Sequence, residues 1–153
     1  MDVVDPLPSE ALLATTPAAR FGLARKGAIE VGRDADIVLV EGQGSINHPG
    51  YSAVTLGLLH GSCPDAMILC HQSSREFIGD YREAAWLRIP PLAEYIRLYE
   101  SIGAAVHPTR VIGISLNTYD LSDEAARRAC EAATRETGLP ATDPVRFGAT
   151  PLV

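Results

Sequence analysis

The 153 residues carry few aromatic side chains, 6% with a single Trp, and only three cysteines, Cys63, Cys70 and Cys130, with no C-x-x-C pair. An odd set of thiols without paired spacing excludes a disulfide framework and points to a reducing, cytoplasmic compartment. Basic residues are also short. Thirteen Lys plus Arg against nineteen Asp plus Glu give a formal charge of −6, the wrong sign for a protein whose main partner is nucleic acid. Asp2, Asp5, Pro6 and Pro8 stand where a secretory signal needs a basic region and an apolar run. The longest stretch free of charge, Gly42 to Pro64, holds five glycines, two prolines and two histidines, which argues against a membrane span. Neither G-x-x-x-x-G-K-[ST] nor G-x-S-x-G occurs, so the sequence encodes no orthodox phosphate-binding loop and no serine-hydrolase elbow.

What is present is a globular composition of single-domain length, 46% hydrophobic and 21% charged. Three apolar runs, Ile37–Val40, Ala66–Cys70 and Val111–Leu116, predict strands buried on both faces of a parallel sheet. The 25 and 40 residues between them leave room for crossover helices. The first predicted helix runs from about Tyr51 to His60, apolar on nearly every side and therefore buried, and Gly61 stops it. The second follows Pro90-Pro91, with Leu92, Tyr95, Ile96, Tyr99 and Ile102 on one face, Glu94, Arg97 and Glu100 toward water, and Gly103 at its end. The third lies between an N-cap at Ser122 and a stop at Gly138, and Leu139–Thr142 suggests a short further strand. The expectation is an α/β fold, a three-layer α/β/α arrangement with a mainly parallel sheet over residues 34–153, with residues 1–33 unassigned.

In open parallel sheets ligands gather at the carboxyl ends of the strands, where loops and helix N-termini converge. The first predicted strand ends in Glu41-Gly42-Gln43-Gly44-Ser45, whose glycines let backbone N–H groups approach a phosphate or carboxylate. A carboxylate directly after a buried strand needs a metal, a cation or hydrogen-bond donors, which singles out Glu41; the alternative is a loop cap. His71, at the end of the second strand, is a candidate acid/base. Asn117, ending the third, offers an amide to a purine, or else an Asx-turn. Asp143 and Arg146 offer a ligand clamp, or else a pair that ties down the C-terminal tail. Zinc ligation by His48, His60, His71, Cys63 and Cys70 is disfavoured, because adjacent Cys70 and His71 point to opposite faces of a strand and no second pair completes a site.

The ordered series Val40-Glu41-Gly42-Gln43-Gly44-Ser45, His48-Pro49-Gly50-Tyr51-Ser52, Thr55 to Gly61, Pro64-Asp65-Ala66, Cys70-His71, Gly113 to Thr118 and Gly138 to Arg146 resembles the C-terminal domain of the D-glutamate N-acetyltransferase-like family. That domain is long catalogued as one of unknown function, and the resemblance covers about residues 34–150. It implies a P-loop-NTPase-like fold, similar in layout to dethiobiotin synthetase and partial here, because the upstream phosphate loop and Rossmann-like N-terminal domain are not part of the matching stretch. It also implies acetyl-CoA as acyl donor, a small D-amino acid as acceptor, and the missing domain or an upstream-encoded subunit as partner. By fold layout, Glu41 falls where a magnesium-associated carboxylate sits and Asn117 where adenine is read. The expected roles follow: Glu41 or His71 as base, Gly42, Gln43, Gly44, Ser45, Asn117 and Asp143 at the cofactor, and His48, Tyr51, Arg75 and Arg146 at the substrate. Two other readings remain open: an ATP- and Mg²⁺-dependent ligase or phosphoryl-transfer domain with Glu41 on the metal, and a noncatalytic partner subunit. Apolar surface left where a further domain would dock predicts self-association into a homo-oligomer.

Overall fold

The computed structural model describes residues 38–79 and 85–152. Three strands, β1 (Ala66–Gln72), β2 (Arg110–Asn117) and β3 (Ala141–Thr142), form a parallel sheet in the order β1-β2-β3. Leu69 lies opposite Ile114, Cys70 opposite Ser115 and Gln72 opposite Asn117, and Ser115 in turn faces Thr142. The register shifts by one residue between Met67 and Ile68, so that Ile112 is the extra residue on β2. The order places the carboxyl ends of all three strands at one end of the sheet.

The helices between the strands follow from pattern and caps. Helix α1 spans Ser52–Ser62, α2 Leu92–Ala104 and α3 Asp123–Thr137, and the short α4 Pro144–Phe147 follows β3. In α2 the buried Leu92, Tyr95 and Ile96 repeat at helical spacing and join Leu69, Val111, Ile114 and Leu116 of the sheet, with Cys130 and Ala133 of α3, in one core. The boundaries of α3 are those expected: the Ser122 hydroxyl accepts from the Ala125 amide, and Gly138 takes the left-handed conformation that closes the helix. Its pairs Glu124 with Arg128 and Glu131 with Arg135 form at i, i+4. Gly103 is required by close approach, because a Cβ there would stand 2.5 Å from Thr109 Cγ2. On the opposite face of the sheet the C-terminal 3₁₀ turn Thr150–Leu152 brings Leu152 over Gly113, where a Cβ would meet it at 2.7 Å.

Several expectations are corrected. Residues 38–40 of the expected first strand carry no regular structure and Leu39 is 90% exposed, while Ile37 lies outside the described residues. A strand needs a ladder partner for its N–H and C=O groups, and among the described residues this stretch has none. β1 alternates, with Leu69 inward and Ile68 and Cys70 exposed, and among the described residues mainly the short C-terminal turn covers that second side of the sheet. Helix α1 buries only Thr55 and Leu59 and shows Val54 and Leu56 to solvent. It passes through Gly61 and ends at Cys63, which itself takes φ 46°. Glu100 turns from water to accept a 2.9 Å hydrogen bond from the Val111 amide. Of the three thiols only Cys130 is buried. The unassigned residues 1–33 lie outside the described residues. No helix among the described residues is long and apolar enough to cross a membrane.

Candidate functional site

The chain leaves β2 at Asn117 and must turn, and the turn is fixed by a carboxylate 25 residues away. Thr118 is fully buried, and both its amide and its hydroxyl donate to Asp143 Oδ2. Asp143 Oδ1 accepts from the Val145 and Arg146 amides, so the same side chain caps α4. Burial alone would raise the Asp143 carboxyl, but the donors from Thr118, Arg146 and Val145 more than offset it and hold the group below the usual carboxylate range. Arg146 closes the clasp: Nη2 donates to the Thr118, Tyr119 and Leu121 carbonyls at 3.0, 3.3 and 2.8 Å, and Nη1 to Asp123. Asp143 and Arg146 are thus spent on the chain's own groups. Asn117 Oδ1 accepts from the Tyr119 amide at 3.1 Å in an Asx-turn, and its Nδ2 donors meet no acceptor among the described residues.

Above this clasp, at the carboxyl ends of the strands, opens a cavity of about 660 Å³. β1 contributes Cys70, His71 and Gln72, β2 Ser115, Leu116 and Asn117, and the turns that follow contribute Arg75, Tyr119 and residues 143–146. Tyr119 is 72% and Val145 95% exposed, so two apolar surfaces stand open at the cavity. Burial, aided by the Arg75 guanidinium, lowers the His71 pKa against the opposing pull of Glu136, biasing the ring to its neutral form. Arg75 is exposed and forms no ion pair among the described residues. Partial burial pushes the Cys70 thiol up; a hydrogen bond with Ser115 pulls it down and the Glu41 charge raises it again. Cys70 is therefore a thiol, not a thiolate nucleophile.

The glycine loop is anchored elsewhere. Ile46 is buried in the core and its amide donates to the Tyr99 hydroxyl at 3.0 Å, while the Tyr95 hydroxyl donates to Asn47 Oδ1 at 2.6 Å. The Thr55 hydroxyl holds the Gln43 carbonyl, and Gly44 adopts φ 68° with its Cα face against Tyr51. His48 Nδ1 accepts from the Gly50 amide and its ring lies 4.6 Å from that of Tyr51. Glu41 and Gly42 to Gly44 are exposed, and no group of three or more His, Cys, Asp or Glu among the described residues is arranged for a metal ion.

The structure thus gathers His71, Arg75, Asn117, Asp143 and Arg146 at one cavity, and leaves Glu41, Gly42, Gln43, Gly44, Ser45, His48 and Tyr51 outside its lining. Gln72, Ser115, Tyr119 and Val145 were not among the candidates, nor was Cys70 as a cavity residue. The signal that finds Cys70, Gln72 and Ser115 is the register, which aligns Cys70 with Ser115 and Gln72 with Asn117. Tyr119 and Val145 carry no such signal, because their exposure is set by the clasp between two distant turns.

A family model described as "Domain of unknown function (DUF1611_C) P-loop domain" matches residues 22–153. Two curated proteins named D-glutamate N-acetyltransferase are similar to the chain over 116 residues: one from a Pseudoalteromonas species at 37% identity and one from Tritonibacter scottomollicae at 39%. Each alignment covers 75% of this chain and 34% of the relative, so the chain spans about a third of the curated relatives' length. The crystal structure of a DUF1611 family protein from Anabaena variabilis superposes with a TM-score of 0.71 at 37% identity, covering 99% of this chain and 40% of that one.

Proposed function

This chain belongs to the DUF1611 family of P-loop domains, and from that premise we propose that it is a domain of an N-acetyltransferase that moves the acetyl group of acetyl-CoA to the amine of D-glutamate or a related D-amino acid. The observation that carries this reading is the meeting in one cavity of a histidine biased to neutrality with a guanidinium and an amide Nδ2 that have no partner among the described residues, from His71, Arg75 and Asn117. The relatives named D-glutamate N-acetyltransferase support the same reaction.

Bound acetyl-CoA supplies an activated thioester carbonyl. Arg75 holds a substrate carboxylate through two parallel N–H donors, a fit that Arg146 has lost to the chain's own carbonyls. The neutral His71 ring takes the proton released by the amine nitrogen as the N–C bond forms and the C–S bond breaks; the departing thiolate is then protonated. Asn117 Nδ2 and the exposed Tyr119 ring offer a donor and a flat apolar surface that fit the adenine end of the acyl donor. The loop Gly42–Ser45 presents N–H groups that no described residue claims, which suits the donor's phosphates. Glu41 stands exposed at the start of that loop and belongs to no group of three or more His, Cys, Asp or Glu among the described residues, so a magnesium ion held there would take its remaining ligands from phosphate and water. A cytoplasmic setting suits the three free thiols. Full activity on this reading uses polypeptide corresponding to the two-thirds of the relatives that this chain does not match.

Calorimetric titration with coenzyme A, and separately with ATP plus Mg²⁺, tests the reading. Binding of coenzyme A that weakens tenfold or more in Asn117→Ala supports it. Binding of ATP with Mg²⁺ and not of coenzyme A favours the phosphoryl-transfer alternative, and coenzyme A affinity indifferent to Asn117 sinks the site assignment.

A further inference from the structure

We propose that Gln72 is a positioning residue: its side chain braces the turn from Gln72 to Arg75 and so fixes the Arg75 guanidinium at the cavity, beside His71. The brace stands on hydrogen bonds within this chain; that the guanidinium then receives a substrate carboxylate rests on the acetyltransferase reading above.

β1 ends at Gln72, which lies opposite Asn117 in the register, and the chain then turns at Ser73 and Ser74. The last rung of the ladder holds the start of that turn, because the Ser73 amide donates to the Asn117 carbonyl at 3.2 Å. The Arg75 amide donates to the Gln72 carbonyl at 3.0 Å and closes the turn over four residues. Gln72 acts a second time, since its Nε2 reaches forward and donates to the Ser74 hydroxyl at 3.2 Å. Beyond Arg75 the chain is held again: the Ile89 amide donates to the Glu76 carbonyl at 2.9 Å, Phe77 bridges Arg88, and Ile78 is buried. Arg75 thus has fixed backbone on both sides and a side chain that forms no ion pair among the described residues.

Ordering a long cationic side chain on binding costs affinity, and a mount fixed beforehand lowers that cost. The carbonyl contact is available to any residue at position 72, whereas the contact to Ser74 needs a donor at the end of the side chain. The mount also joins two walls of the cavity. Asn117 takes the Ser73 amide on its carbonyl and the Tyr119 amide on its Oδ1, so the turns bearing Arg75 and Tyr119 share one residue. His71, one residue before Gln72, reports on the brace, because it lines the same cavity and its titration responds to the Arg75 charge. The opposing charge on His71 comes from Glu136 of α3, whose Oε1 accepts from the Ala93 amide at the start of α2. The remaining charges at the cavity, Asp143 and Arg146, are tied to each other and to the chain's own amides and carbonyls. None of these contacts involves Gln72 or Ser74, so a change at the brace reaches His71 through Arg75.

Histidine ring NMR tests the brace without any turnover, with the His71 signal identified by its loss in His71→Gln. Ser74→Ala removes the acceptor from an exposed position, and Gln72→Met removes the donor while keeping an unbranched side chain of similar length. The proposal expects each to raise the His71 pKa part of the way toward its value in Arg75→Gln. The double variant should go no further than the larger single one, and Ser74→Thr, which keeps the hydroxyl, should titrate as wild type. In the wild type D-glutamate should raise the His71 pKa by neutralising the guanidinium, and the two brace variants should weaken its binding about threefold to tenfold. A His71 pKa unmoved in both brace variants overturns the proposal, whatever Arg75→Gln does, as do additive effects of the two. Lower unfolding stability with an unchanged titration also overturns it, since the bond would then be structural only. A titration that the brace variants move but D-glutamate does not upholds the positioning and removes Arg75 from the acetyltransferase reading.

Discussion

Thr118 and Asp143 are joined through one carboxylate oxygen that accepts both the amide, at 3.1 Å, and the hydroxyl of the threonine, inside a site where Thr118 is fully buried and Asp143 is 3% exposed. Two turns 25 residues apart are thereby one rigid unit, and the cavity walls on both sides of it inherit that rigidity.

Asp143→Asn keeps the shape but replaces an acceptor with an amide that faces donors at one of its two positions. The cost expected is about 2–3 kcal/mol, since a charged acceptor is lost and a buried donor is left unpaired. Urea denaturation at neutral pH checks it through a lower midpoint at an unchanged slope.

The same carboxylate gives an acid limb to stability. Its folded pKa lies below the ordinary value of about 3.8, so its contribution is fully present above that value and is lost as pH falls through the folded pKa. The wild-type protein should therefore lose more stability than Asp143→Asn as pH is lowered below about 4; parallel curves would refute the assignment.

His71 behaves as a depressed base. Its stabilising neutrality is complete above the ordinary value of about 6.5 and is lost as pH falls through the lower folded pKa. Burial is the larger cause and Arg75 the second, so Arg75→Gln should move the His71 pKa upward without restoring it to the ordinary value. Histidine ring NMR across pH 4–8 (roughly the range of imidazole titration) reads this directly. On the proposed function the same variant raises the KM for the amino-acid substrate while folding stability stays within about 0.5 kcal/mol, as befits an exposed side chain.

Arg146→Gln separates the two arginines. It strips three loop carbonyls of a charged donor and breaks the contact with Asp123. A loss of about 2 kcal/mol and faster amide exchange over residues 118–121 are expected. Unchanged exchange there would remove Arg146 from the clasp.

Tyr95→Phe tests the anchoring of the glycine loop. The hydroxyl donates to Asn47 Oδ1 at 2.6 Å, and burial raises its pKa well above the usual tyrosine value, so it stays a donor at all ordinary pH. Its loss should cost about 1 kcal/mol and loosen residues 43–50, read by proteolysis or exchange.

By itself the sequence determined the parallel α/β fold, because apolar runs at 66 and 111, an amphipathic helix after Pro91 and a capped helix between Ser122 and Gly138 are local patterns with local causes. It also determined the family, through motifs whose order along the chain survives any uncertainty about their contacts. It located His71 and Asn117 at strand ends, since period-2 alternation and strand length suffice for that. The sequence pattern missed in two kinds of place. The run Ile37–Val40 has strand composition but no described ladder partner, and composition is silent about partners. The tertiary structure alone decided which polar groups are free. Arg75 and Arg146 are the same residue type near the same strand ends, yet one faces solvent and the other is consumed by three carbonyls and a carboxylate. Hydrogen bonds between residues 25 positions apart depend on how two turns meet in space, and no local periodicity encodes that meeting.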